Sequence, residues 1–164
     1  MRTLAVAAAV LLLAGCSSDS PRTADPPRTT DAACGETIST EALPEWARAG
    51  FSWDGSGTRH VLSDRGELLA VLFGHPLSSP PAPDRNNKIL WVARAPFERG
   101  DLTITAELAG AAVTAQAEVA GGPGPSIVDL PRPGCWHLTL TWPGRTDTMD
   151  LTYHPGSPSQ AASQ

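Results

Sequence analysis

Lysine is nearly missing from this chain: Lys88 stands alone beside eleven arginines and 17 acidic residues, for a formal charge of −5 over 164 residues. That balance leaves no basic footprint for nucleic acid or for an anionic membrane surface. Long apolar runs are equally scarce, since the longest, residues 4–13, falls well short of the roughly 20 residues a bilayer crossing needs. Sixteen prolines argue against a helical bundle, because each one inside a helix costs about 3 kcal/mol. The length holds one domain of ordinary size and would cramp two.

Motifs of catalysis are also missing. Ser56, His60 and Asp64 supply the residue types of a hydrolase triad, but Gly55-Ser56-Gly57 reads as a turn and not as a strand-to-helix nucleophile elbow. The loop Gly121-Gly122-Pro123-Gly124-Pro125 loses amide donors to its prolines, and no helix follows to cradle a phosphate. Asp147 and Asp150 have opposite parity on one expected strand, which denies them a shared site. His60, His75, His137 and His154 lack the H-x-H and H-x-x-x-H spacings of metal ligands. We therefore expect no enzyme, no resident metal and no cofactor.

What is present begins with an address. Arg2 precedes the apolar residues 4–13, and Leu13-Ala14-Gly15-Cys16 resembles the bacterial lipobox, in which the cysteine receives a diacylglycerol thioether and the signal peptide is cut before it. The other reading is an ordinary secretory signal with a chance cysteine, and both readings export the chain. Residues 1–15 are thus the expected signal peptide, and Cys16 the expected link to the cell membrane, on its extracytoplasmic face. Two acyl chains suffice for stable attachment. Residues 17–33 carry prolines, serines and charges of both signs, the composition of a disordered tether. Such a coil spans roughly 23 Å root-mean-square and at most ~50 Å.

With Cys16 lipidated, Cys34 and Cys135 remain as an even pair in an oxidising compartment, and we expect a structural disulfide between them. Two free thiols and a redox-active pair are the alternatives, the second disfavoured by the absence of a C-x-x-C spacing. Beyond Cys34, short apolar runs alternate with turn residues, as in an all-β, antiparallel sandwich. One helical turn over residues 41–47, capped by Ser39 or Thr40, should precede it. Strands at 59–62 and 67–73 form a hairpin, with 68–73 buried on both faces, and 88–93 is a second fully apolar strand. Alternation directs Leu102, Ile104, Ala106 and Leu108 inward, residues 113–119 repeat that phase, and Trp136, Leu138, Leu140 and Trp142 share one face. Met149, Leu151 and Tyr153 complete the core from the closing strand, while Trp46 should cover an end of the sandwich. By parity Cys135 points away from Trp136, which places the disulfide at the sheet edge. The domain should run over residues 34–155, with a disordered tail over 156–164.

The segments Leu43-Pro44-Glu45-Trp46-Ala47, Asn87-Lys88-Ile89-Leu90-Trp91-Val92 and Pro131-Arg132-Pro133-Gly134-Cys135-Trp136 resemble those of small actinobacterial lipoproteins with an uncharacterised immunoglobulin-like β-sandwich. The resemblance covers about residues 34–154. It implies location and architecture and carries over no catalytic residue.

Two places invite a binding role. Trp53, beside Asp54-Gly55, is the tryptophan least explained by a core, and exposed tryptophans stack on sugars or peptides. Residues 74–87 form an insertion of a length uncommon in loops without function, whose polar tip Arg85-Asn86-Asn87 suits contact with a partner. A plain sheet-to-sheet crossover is the other account of that insertion. The expected function is a non-enzymatic binding or accessory module of the cell envelope, contacting a protein or a glycan. The alternative is an exported copper or zinc carrier using His75 and His137.

Overall fold

The structure, a computed structural model, describes residues 34–156. The expected signal peptide over 1–15, the expected lipidation site Cys16, the expected tether over 17–33 and residues 157–164 of the expected tail lie outside the described residues. Alternating sequence builds strands β1 (His60–Leu62), β2 (Leu68–Leu72), β3 (Ser78–Ser79), β4 (Lys88–Ala93), β5 (Leu102–Leu108), β6 (Thr114–Val119), β7 (Pro125–Ile127), β8 (Gly134–Trp142) and β9 (Arg145–Pro155). They form two sheets, one ordered β1-β2-β4-β7 and the other β3-β9-β8-β5-β6. The fold is all-β. Its neighbouring strands run antiparallel except β3 and β9, which are parallel.

The longest hairpin, β8–β9, follows from its sequence most directly. Period-2 alternation puts Trp136, Leu138, Leu140 and Trp142 on the inner face, and register pairs Leu138 with Met149 and Trp136 with Leu151. Pro143 presets its own φ, and Gly144 at φ +72° supplies the left-handed residue that closes the turn. Leu102, Ile104, Ala106 and Leu108 of β5 face the same core, opposite Leu68, Ala70, Ile89 and Trp91 of the first sheet. Buried aromatics contribute about 4–6 kcal/mol each in gross apolar burial. Three of them have their polar ends satisfied: Trp91 Nε1 donates to Ser126 Oγ at 2.9 Å, Trp136 Nε1 to the Arg132 carbonyl at 2.9 Å, and Tyr153 Oη to the Val128 carbonyl at 2.7 Å, whereas the buried Trp142 Nε1 has no partner among the described residues.

A second, smaller cluster lies on the outer face of the first sheet. Leu69 and Val71 point away from the main core and are roofed by Leu43 and Ala47, with Trp46, Phe51, Leu90 and Val92 half-buried around them. This roof explains why β2 is buried on both faces, and it corrects three expectations. Trp46 covers the sheet's outer face and not an end. β4 alternates in burial, because the roof reaches Leu90 and Val92 only in part. Phe73 lies just past β2 and is 52% exposed, stacked on Phe51 with ring centroids 6.5 Å apart. The helical turn is a short 3-10 turn, Glu45–Ala47, whose N-cap is Pro44 with no side-chain bond. The Ser39 hydroxyl accepts from the Glu41 amide instead.

Cys34 and Cys135 are disulfide-bonded, with Cα atoms 5.3 Å apart. The bond closes a separation of 101 residues, which in the chain-entropy account stabilises the fold by about 4.7 kcal/mol. It sits on the outer face of β8, a strand flanked by β9 and β5, and not at a lateral sheet edge. Asp147 and Asp150 do fall on opposite faces of β9. Asp147, 1% exposed, accepts from Ser63 Oγ at 2.6 Å, Arg65 N at 3.0 Å and Glu67 N at 3.1 Å, tying the β1–β2 turn to the other sheet. Asp150 accepts from Gly35 N at 3.0 Å and lies 2.8 Å from His137 Nδ1. Among the described residues no helix is long and apolar enough to cross a membrane. At the last described residue, Gly156 N donates to the Ser79 carbonyl at 3.0 Å.

Candidate functional site

After the 3-10 turn the chain doubles back alongside residues 39–43. Backbone bonds from Leu43 N to the Asp54 carbonyl (2.9 Å) and from Gly57 N to the Thr40 carbonyl (2.8 Å) stitch the two stretches together. Between them a tight turn closes through Gly55 N and the Ser52 carbonyl at 3.1 Å. Gly55 has to be glycine: its φ is +79°, and a Cβ there would lie 2.5 Å from Leu43 Cδ1. The second residue of the turn is Trp53, at φ +57°. A type II′ turn favours glycine at that position, and holding a non-glycine residue there costs of order 1–3 kcal/mol. Its indole is also 96% exposed. The side chain thus forgoes burial in a conformation that strains its backbone, and strain of this kind concentrates at ligand clamps and active sites.

The groups around Trp53 are polar and individually anchored. Arg48 donates from Nε to the Leu43 carbonyl at 2.7 Å, and among the described residues its two Nη atoms have no partner. Asp54 accepts at Oδ1 from both Ser56 N (3.0 Å) and Ser56 Oγ (2.6 Å), while its Oδ2 has none among the described residues. The Ser56 hydroxyl and amide, with Arg48 further off, hold Asp54 below the usual carboxylate range, so it is ionised at neutral pH. Together Arg48, Ser52, Trp53, Asp54 and Ser56 line an open depression of about 550 Å³, within the usual range for small-ligand sites.

The insertion at residues 74–87 is built differently. It leaves the first sheet after β2, lays β3 against β9 in the second sheet, and returns to β4 in the first. Its sharpest correction concerns Asn87, which is 1% exposed and so not open to a partner. Asn87 Oδ1 accepts from Ser78 N at 2.9 Å, and Nδ2 donates to the Ser78 carbonyl (2.9 Å) and to Asp129 Oδ1 (2.8 Å). Val128 N donates to the Asn87 carbonyl at 3.1 Å, and Ser79 Oγ donates to the Leu130 carbonyl at 2.7 Å. Of the expected tip, Asn86 is exposed and Arg85 half-exposed, beside a turn closed by Arg85 N and the Ala82 carbonyl. The segment is a crossover clamped at its base.

The remaining candidates do not converge. Ser56 bonds Asp54, His60 Nδ1 meets the Thr58 carbonyl at 2.9 Å, and Asp64 is bonded by Thr148, so the three triad residue types serve separate local structures. His137 pairs with Asp150 on β8 and β9, whereas His75 lies in the crossover. Burial, followed by nearby Arg59, His154 and Arg85, lowers the His75 pKa from its ordinary value. Among the described residues one trio of donor types lies close together, Cys34, Cys135 and Asp150, and its two sulfurs are joined to each other.

Sequence reasoning singled out Trp53 and missed Arg48 and Asp54. Asp54 carried a readable signal, since Asp-Gly-Ser is a side-chain-capped turn. Arg48 carried none, because its anchor is a backbone carbonyl five residues earlier. No protein-family model, curated protein or solved structure matches the chain.

Proposed function

We propose that the protein is a lipid-anchored, extracytoplasmic binding module of the cell envelope that meets its partner through the Trp53 turn. The observation that carries this reading is Trp53 itself, almost fully exposed at φ +57° in a turn fastened by backbone bonds on both sides. A tryptophan in the rest of this chain is treated otherwise: Trp91, Trp136 and Trp142 are buried and Trp46 half-buried. Anchoring is supported by Leu13-Ala14-Gly15-Cys16, and export by the Cys34–Cys135 disulfide, which belongs to an oxidising compartment. The two-sheet arrangement supports an immunoglobulin-like sandwich, a scaffold that commonly presents recognition groups on loops.

Two variants test the reading. Cys16→Ala should appear in soluble fractions or persist as an unprocessed precursor, and a normally processed, membrane-bound Cys16→Ala chain overturns the anchor. Trp53→Ala should keep its melting temperature while crosslinked capture of envelope material from intact cells falls. Unchanged capture overturns the role of the turn.

A further inference from the structure

A tryptophan that anchors a protein contact sits in a well-packed, fully desolvated pocket behind a ring of contacts that excludes water. Trp53 is ringed instead by Arg48, Ser52, Asp54 and Ser56. The depression therefore offers one flat aromatic platform with hydrogen-bonding groups beside it, and no apolar hole to receive a side chain. Among the described residues its open bonding capacity is of both kinds: two donor nitrogens on Arg48 and one acceptor oxygen on Asp54. A hydroxyl is donor and acceptor at once, so two adjacent hydroxyls can bridge a guanidinium and a carboxylate without leaving either unpaired. The two charges also offset each other, which suits an uncharged ligand. Both side chains are held by their other ends, Arg48 at Nε and Asp54 at Oδ1. A ligand thus meets groups already ordered, and little rotamer freedom is lost on binding.

We propose that this depression is a carbohydrate subsite, in which the Trp53 indole stacks on the C–H face of a sugar ring while Arg48 and Asp54 grip a vicinal diol. The inference rests on the reading of Trp53 as the recognition element and specifies the class of ligand it takes. Ser56 has an indirect part, as a positioning residue that fixes the Asp54 carboxylate.

The test uses the full chain in detergent and sedimented envelope fragments in three forms: untreated, oxidised with periodate, which cleaves vicinal diols, and digested with protease. Wild-type binding should fall about tenfold or more on periodate-treated fragments and survive protease. Trp53→Ala should lower binding to untreated fragments about tenfold, the scale of one lost stacking contact with its buried area. Asp54→Asn keeps an oxygen for Ser56 but loses the second acceptor, and should weaken binding several-fold at an unchanged melting temperature. Trp53→Gly, which also relieves the backbone, guards against misreading an unfolded Trp53→Ala variant. Binding that is sensitive to protease and indifferent to periodate, but still lost in Trp53→Ala, overturns the sugar and leaves the recognition turn standing. Binding by Trp53→Ala and Trp53→Gly equal to wild type overturns both.

Discussion

In the crossover the residue that reads as a polar tip, Asn87, is inside the protein, whereas in the 52–57 turn the most apolar residue, Trp53, is outside. The crossover must carry backbone from one sheet to the other, and each amide it buries needs a partner. Asn87 meets that need with one side chain, bonding both polar backbone groups of Ser78. The turn carries no such load. Its backbone is satisfied by residues 40 and 43, which leaves the indole free of any structural task. Polarity in sequence is thus a poor guide to which side chain is available to a partner, and the more useful question is whose backbone bonds that side chain completes.

The strongest way to break this comparison is Asn87→Ala. It leaves the Ser78 amide and carbonyl buried and unpaired, and at about 1–3 kcal/mol for each orphaned group the expected loss in urea denaturation is about 3 kcal/mol. A loss under about 1 kcal/mol would mean that the crossover is not held at its base. A pH experiment sharpens the same region. The Tyr153 phenol bonds the Val128 carbonyl, and Val128 in turn bonds Asn87. Burial first, then Asp129 and Glu36, push its pKa far above the ordinary tyrosine value of 10.0. The native phenol keeps its proton while the unfolded one ionises near the ordinary value, so this contribution is complete below about pH 10 and is lost as pH rises toward the folded value. Its slope is at most about 1.4 kcal/mol per pH unit. Tyr153→Phe should lack that slope when urea midpoints at pH 9 and pH 11 are compared, and a parallel pH dependence in the two proteins would contradict it.

Smaller effects test the turn. Trp53→Gly removes the positive-φ strain but adds unfolded-chain entropy, so a net gain of about 0.5–1 kcal/mol is expected in thermal melts. A loss would show that the indole supports the fold after all. Smallest of all is the double variant Arg85→Ala with Asn86→Ala. Surface changes of this kind stay within about 0.5 kcal/mol, and envelope capture should be unaltered. Reduced capture at unchanged stability would move the recognition surface to the crossover.

Much of the second sheet was legible in the sequence, because strict alternation in 102–108 and 134–142 specifies which side chains enter the core, and Pro143-Gly144 specifies the turn. The disulfide followed from the parity of three cysteines. Strand β3 was not legible: its two serines read as loop, and parallel pairing to β9 joins backbones 76 residues apart with no local pattern. The double burial of β2 was readable as an apolar run, but its cause was not, since the roof over Leu69 and Val71 comes from a segment that pairs with the sheet only at Ser39 and His60. Asp147 shows the same limit. It reads as one more acidic residue in a polar stretch, and its task is set by three donors 80 or more residues away.

The disulfide also decides how the protein carries mechanical load. A pull on the chain ahead of Cys34 passes through sulfur into Cys135, and so into β8, which is bonded to β5 on one side and to β9 on the other. Tension then runs across two ladders whose hydrogen bonds must shear together. Without the bond, the same pull would start at Gly35 and peel the roof from the first sheet, residue by residue, until it reached the Trp53 turn. With it, a pull that enters at Cys34 bypasses residues 35–52 and reaches the Trp53 turn only through the two sheets, so the roof is not unravelled from its end.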